Sequence, residues 1–123
     1  MSKTILIADD EPNIVISLEF LLRREGYVVH VARDGEQALA AIREHRPDLV
    51  LLDIMMPRLS GYEVCQAIRA DPEIAATRVV MLTAKGHTTD KAKGTALGAD
   101  AYVTKPFSTR ELAARIADML KST

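Results

Sequence analysis

Five short runs of aliphatic and β-branched residues recur along the chain: "TILIAD" at 4–9, "YVVHVA" at 27–32, "DLVLLD" at 48–53, "VVMLT" at 79–83 and "AYVTK" at 101–105. Each is followed by a segment of helical spacing. This alternation limits the fold more than any other feature, because strands joined by helical crossovers lie parallel and bury both faces of their sheet. "LVLL" and "VVML" place apolar residues on both faces, as central strands covered from both sides require.

The helices carry their own boundary signals. Pro12 stands at a helix-start position and Gly26 follows the end, so the first helix is predicted over Pro12–Glu25 with Ile14, Leu18, Leu21 and Leu22 inward. The second runs from Gly35 to Glu44 behind Asp34 as its cap, burying Ala38, Leu39 and Ile42. A third, near Tyr62 to Arg69, offers Val64, Cys65 and Ile68. The fourth, Thr89 to Leu97, is the weakest, since Gly94 in a helix interior costs about 1 kcal/mol relative to Ala. The fifth opens on a capping box from Ser108 to Glu111 and continues through Leu112, Ile116 and Leu120. The irregular stretch "RADPEIAATR", 69–78, reads as a loop carrying a helical turn. The sum is an α/β chain, a (βα)5 doubly wound parallel sheet expected as a single domain over residues 1–123.

In such sheets the ligand crevice lies outside the carboxyl ends of the strands, where strand order reverses. Strand one ends in Asp9-Asp10, strand three in Asp53, strand four in Thr83 and strand five in Lys105-Pro106. With the order 2-1-3-4-5, strands one and three flank the reversal. Asp9, Asp10 and Asp53 then converge across it, with Thr83 and Lys105 on the far side of Asp53. Three converging carboxylates without a cation force one to take a proton, whereas Mg²⁺, which takes oxygen ligands, lets all three ionise. The histidines offer no zinc alternative: His30, His45 and His87 fall in a strand, a helix end and a loop without ligand spacing. With a metal screening its charge, one carboxylate can attack phosphorus and form an acyl phosphate. Central Asp53 is the best placed, with Lys105 and Thr83 available to stabilise the transferring phosphoryl group. The third acid of "DDEP", Glu11, reads as compensation of the helix dipole ahead of Pro12.

These motifs and their order resemble the receiver domain of two-component response regulators, the family of the chemotaxis regulator. The likeness rests on Asp9-Asp10, on "LLDIMMPRLSGYEV" with Asp53, Pro57 and Gly61, on "MLTA" with Thr83-Ala84, and on "GADAYVTKPF" with Tyr102, Lys105, Pro106 and Phe107. It spans essentially the whole chain. The resemblance implies a flavodoxin-like fold of strand order 2-1-3-4-5 and a phosphorylation-activated switch rather than a conventional enzyme. Asp53 would accept phosphate from a sensor histidine kinase or a histidine phosphotransfer protein. Mg²⁺ would be bound by Asp10, Asp53 and the backbone carbonyl of Met55, with Asp9 acting largely through water. Lys105, preceding Pro106 in a cis peptide, would pair with the phosphoryl group. Thr83 would close on it while Tyr102 turns inward, reshaping the surface of the fourth helix, fifth strand and fifth helix toward a downstream protein or an output domain. Monomer and phosphorylation-dependent dimer both fit. Met55 and Lys85 occupy positions the family varies, which set the lifetime of the acyl phosphate.

Other functions fit less well. With 16 basic against 17 acidic residues, scattered, and no Trp, three Tyr and two Phe, the chain has neither a field nor a stacking stripe for nucleic acid or membrane. The single cysteine, Cys65, makes no internal disulfide, and "MSKTILIADD" lacks a signal segment, so a cytoplasmic location is expected. A cofactor binder of the same fold needs a Gly/Ser/Thr loop after strand one, where this chain has three acids that repel phosphate. A phosphohydrolase wants a general acid two residues past Asp53, where Met55 stands. An interaction domain with a vestigial site would be expected to have lost Asp53, Lys105 or a member of the acidic pair.

Overall fold

The computed structural model describes residues 2–84 and 98–121. Along them follow β1 (Thr4–Ala8), α1 (Pro12–Arg24), β2 (Val28–Ala32), α2 (Gly35–His45), β3 (Leu49–Asp53), α3 (Gly61–Ala70), β4 (Arg78–Ala84), β5 (Ala101–Lys105) and α4 (Thr109–Lys121). All five strands pair in parallel, in the order β2-β1-β3-β4-β5. This is the doubly wound sheet that the alternation predicts, in the flavodoxin-like order that the resemblance implies. The helix expected over 89–97 lies outside the described residues, so α4 is the helix that opens behind Ser108.

Two-sided burial follows from the period of two along each strand. Ile5, Ile7, Leu49, Leu51, Val80 and Leu82 turn to one face and meet Val15, Leu18 and Leu22 of α1 and Leu112, Ile116 and Leu120 of α4. Leu6, Ala8, Val50, Leu52, Val79 and Met81 turn to the other, against Ala38 and Ile42 of α2 and Val64, Cys65 and Ile68 of α3. Each large aliphatic side chain so buried stabilises the fold by roughly 1.5–3 kcal/mol relative to its exposed state. The inward stripe of α1 departs from expectation: Val15 is buried, while Ile14 and Leu21 are only half-buried at its margins. Leu39 of α2 is also half-buried.

Caps set the helix starts. Asp34 Oδ1 accepts from the Gln37 N–H at 2.8 Å as expected, and Ser108 Oγ accepts from the Glu111 N–H at 3.2 Å, the Ser108 half of the expected capping box. A capping box not anticipated opens α3: Ser60 Oγ accepts from Glu63 N–H at 3.3 Å and Glu63 Oε1 accepts from Ser60 N–H at 3.1 Å. The loop after α3 holds a helical turn over 72–76, with Ile74 N–H bonded to Asp71 O and Thr77 N–H to Ile74 O.

Strand register places the polar residues. Ala8 pairs with Leu52, so Asp9 and Asp53 emerge side by side from neighbouring strands. Asp53 is level with Leu82, which puts Thr83 one step further out, and Ala84 is level with Lys105. Among the described residues no helix is long and apolar enough to cross a membrane.

Candidate functional site

The sheet edge gathers the acids as the strand order requires. Asp9 is completely buried: its Oδ1 accepts the Glu11 N–H at 2.9 Å, turning the chain into α1. Its Oδ2 lies 3.1 Å from Lys105 Nζ in an ion pair and is a buried acceptor with unused lone pairs. Asp53 is 4% exposed; Oδ1 accepts the Met55 N–H at 3.2 Å and Oδ2 stands 3.4 Å from Lys105 Nζ. Asp10 is exposed at the rim, yet one carboxylate oxygen from each of Asp9, Asp10 and Asp53 lies within 4.8 Å of the others.

Lys105 enters from the edge strand β5 and reaches across to the end of β1. Its Nζ donates to Glu11 Oε1 at 2.8 Å, its shortest contact. Strand order placed this ammonium beyond Asp53; its flexible stem lets it face Asp53, Asp9 and Glu11 together. Burial pulls the Lys105 pKa down, but the Glu11 hydrogen bond and the Asp53 and Asp9 charges outweigh it, so the pKa is raised and the ammonium persists. The Asp53 carboxyl is pushed up to about 6, first by burial and then by the Asp9 charge, against the opposing pull of Lys105 and of the Met55 N–H.

A hard divalent cation fits this donor set. The three converging groups are carboxylates, with no imidazole or thiolate among them, and Asp9 Oδ2 is a buried acceptor still to be satisfied. Asp9, Asp10 and Asp53 are the side chains that could hold it. Thr83 is buried at the end of β4, and Tyr102 is half-buried on β5 opposite Met81 in the register. The peptide between Lys105 and Pro106 is cis. The Met55 side chain is 70% exposed, while that of Met56 enters the core.

A buried aspartate beside an acidic pair, faced by one lysine at the carboxyl edge of this sheet, is an arrangement with known relatives. Residues 5–117 match the response regulator receiver domain. The chain belongs to that family. A putative response regulator from Chloroflexus aurantiacus is similar at 36% identity and a TM-score of 0.92, over 98% of this chain and 99% of that one. The receiver domain of a signal transduction histidine kinase from Syntrophus aciditrophicus is similar at 30% identity and a TM-score of 0.91, over 99% and 92%. A chemotaxis response regulator of Vibrio cholerae is similar at 30% identity and a TM-score of 0.90, over 96% and 98%. Receiver domains are regulatory phosphoacceptors of two-component systems rather than conventional enzymes, and they bind Mg²⁺ at an acidic pocket.

Within this receiver, Gly61 is what allows α3 to start against the loop after Asp53. A Cβ there would stand 2.6 Å from Asp53 O and 2.8 Å from Ile54 Cα, both backbone atoms that yield only by moving the loop. Gly61→Ala is therefore expected to cost about 1–3 kcal/mol. It should also slow phosphoryl uptake, checked by urea unfolding and by the rate of labelling with acetyl phosphate; an unchanged unfolding midpoint would refute the clash.

Two features escaped the sequence reading. Glu11 occupies the N-cap of α1 but makes no side-chain cap bond; its carboxylate goes to Lys105 rather than to the helix dipole. The available signal was Pro12, which fixes Glu11 as the residue just outside the helix, at the mouth of the sheet edge. His30 and His45, read as unrelated, stack with ring centroids 3.7 Å apart at the β2 edge. Burial, followed by the charge of His45, holds the His30 pKa below its ordinary value.

Proposed function

We propose that this receiver takes a phosphoryl group onto Asp53 from the phosphohistidine of a sensor kinase or a histidine phosphotransfer protein, in a Mg²⁺-dependent reaction. A carboxylate oxygen of Asp53 attacks phosphorus, the phosphorus–nitrogen bond breaks, and the imidazole leaves with its electron pair. Lys105 neutralises part of the charge on the transferring group and Thr83 closes on a phosphoryl oxygen. Asp10, Asp53 and the Met55 carbonyl would hold Mg²⁺, with Asp9 acting through water; the bound ion supplies charge screening for the phosphoryl oxygens. The change then passes through Thr83 and Tyr102 to a face that meets a downstream protein or an output domain.

The observation that carries this reading is the setting of Asp53 Oδ2, 3.4 Å from one ammonium and among three carboxylates whose oxygens lie within 4.8 Å of one another. We further read residues 1–123 as a single receiver working in the cytoplasm, as a monomer or as a dimer formed on phosphorylation. Incubating the native chain with Mg²⁺ and acetyl phosphate is expected to add one phosphoryl group, located at Asp53 by peptide mapping and absent in chelator. Label at another residue, or uptake that persists in chelator, would overturn the assignment.

A further inference from the structure

Lys105 has three acidic neighbours, and the one that holds it is not the phosphoacceptor. Its 2.8 Å contact to Glu11 Oε1 is a hydrogen bond, whereas Asp9 Oδ2 at 3.1 Å and Asp53 Oδ2 at 3.4 Å are the longer ion-pair contacts. Glu11 is free for this task because the backbone beside it is served otherwise: Asp9 Oδ1 takes its N–H, and its own carboxylate caps nothing. The burial of the partners also differs. Asp9 is buried and cannot regain water, while the Glu11 side chain is 57% exposed and is rehydrated as soon as the ammonium leaves.

We propose that Glu11 is a positioning residue that parks Lys105 in the resting receiver, and that Lys105 leaves it to pair with the phosphoryl group on Asp53. The proposal rests on the phosphoacceptor reading above and adds a competitor to it. A phosphoryl group brings more negative charge than a single carboxylate and presents several strong acceptor oxygens, so it wins the ammonium. Breaking the parked contact is the cost of that exchange. Glu11 therefore lowers the affinity of the site for a phosphoryl group and favours the unphosphorylated form.

The test is a titration of the native chain, Glu11→Gln and Glu11→Asp with beryllofluoride at saturating Mg²⁺, read by fluorine NMR as a dissociation constant. Gln keeps the length and removes the charge; Asp keeps the charge and falls one methylene short of Lys105. Loss of a charge-assisted pair of this exposure is expected to tighten binding about three- to tenfold in both variants. Equal affinity in all three chains, or weaker binding in Glu11→Gln, overturns the parking. Tighter binding in Glu11→Gln alone overturns it too, since that would be the field of the charge without the contact. A native chain that binds no beryllofluoride takes down the phosphoacceptor reading and this proposal together, whereas a native chain that binds while both variants match it takes down the proposal alone.

Discussion

In the presence of chelator, Asp53→Asn is expected to unfold later than the native chain at neutral pH, while losing all labelling by acetyl phosphate and Mg²⁺. Both effects come from one carboxyl. Asn has nearly the shape of Asp and keeps an oxygen for the Met55 N–H, but it has neither the nucleophile nor the charge that burial and Asp9 oppose. The folded chain holds the Asp53 proton up to about pH 6, while the unfolded chain releases it near the ordinary aspartate value of 3.8. Between these values the folded state binds more protons, so native stability falls as pH rises through the window and is flat above it. At about 1.4 kcal/mol per pH unit, the loss is about 3 kcal/mol at most. The Asn variant has no such slope. Its advantage in urea unfolding should be absent near pH 4 and complete by about pH 7, and parallel curves for the two chains would show that Asp53 ionises freely in the fold.

How much of this was legible in the sequence depends on the distance over which each signal acts. Two-sided burial was readable because Ile5 to Ala8, Leu49 to Leu52 and Val79 to Leu82 are apolar on both faces, as a covered parallel sheet requires, whereas the order of the strands came from the family resemblance. The stripe of α1 was read correctly at Leu18 and Leu22 but one residue early at its start, Ile14 for Val15, because Ile14, Val15 and Ile16 are all apolar. Periodicity does not choose among them, and Ile16 and Phe20 are left 64% and 67% exposed. Asp9, Asp10 and Asp53 could be brought together on paper since each ends a strand and the register does the rest. Lys105 could not be placed so well. Its backbone position is fixed by β5, but its ammonium travels the length of a flexible stem and settles on Glu11, 94 residues earlier in sequence. Glu11 beside a helix N-terminus satisfies a local rule, and a local rule carries no information about a partner that the fold alone delivers.

Arg69 is a structural contributor that no local pattern announces, and Arg69→Met is expected to cost about 3 kcal/mol of stability. Sequence periodicity gives it only a place at the end of the third helix. In the fold its guanidinium is enclosed by acceptors from two later stretches, 75–77 and 98–100. Nε and Nη2 donate to Gly98 O at 2.9 and 2.7 Å, Nη1 donates to Ala75 O at 2.8 Å and Thr77 O at 2.7 Å, and Nη2 also meets Asp100 Oδ2 at 2.8 Å. Asp100 Oδ2 in turn accepts the Val79 N–H at 2.7 Å, so one side chain ties the turn after α3 to the start of β4 and to the residues that lead into β5. Met fills much of the same volume but leaves the carbonyls without these donors and the Asp100 carboxylate with the Val79 N–H and no guanidinium, and under-paired acceptors in a partly buried place are what the cost measures. Lys should not rescue: a single ammonium presents its donors from one point, while these acceptors are spread around a planar fork. Urea unfolding of Arg69→Met and Arg69→Lys should show both midpoints well below the native one, and a loss under about 1 kcal/mol in Arg69→Met would mean that the contacts are no better than surface pairs. Since Gly98 and Asp100 set the entry to the strand that ends in Lys105, the same variants should also take up phosphoryl groups more slowly than the native chain, although Arg69 touches none of the site residues.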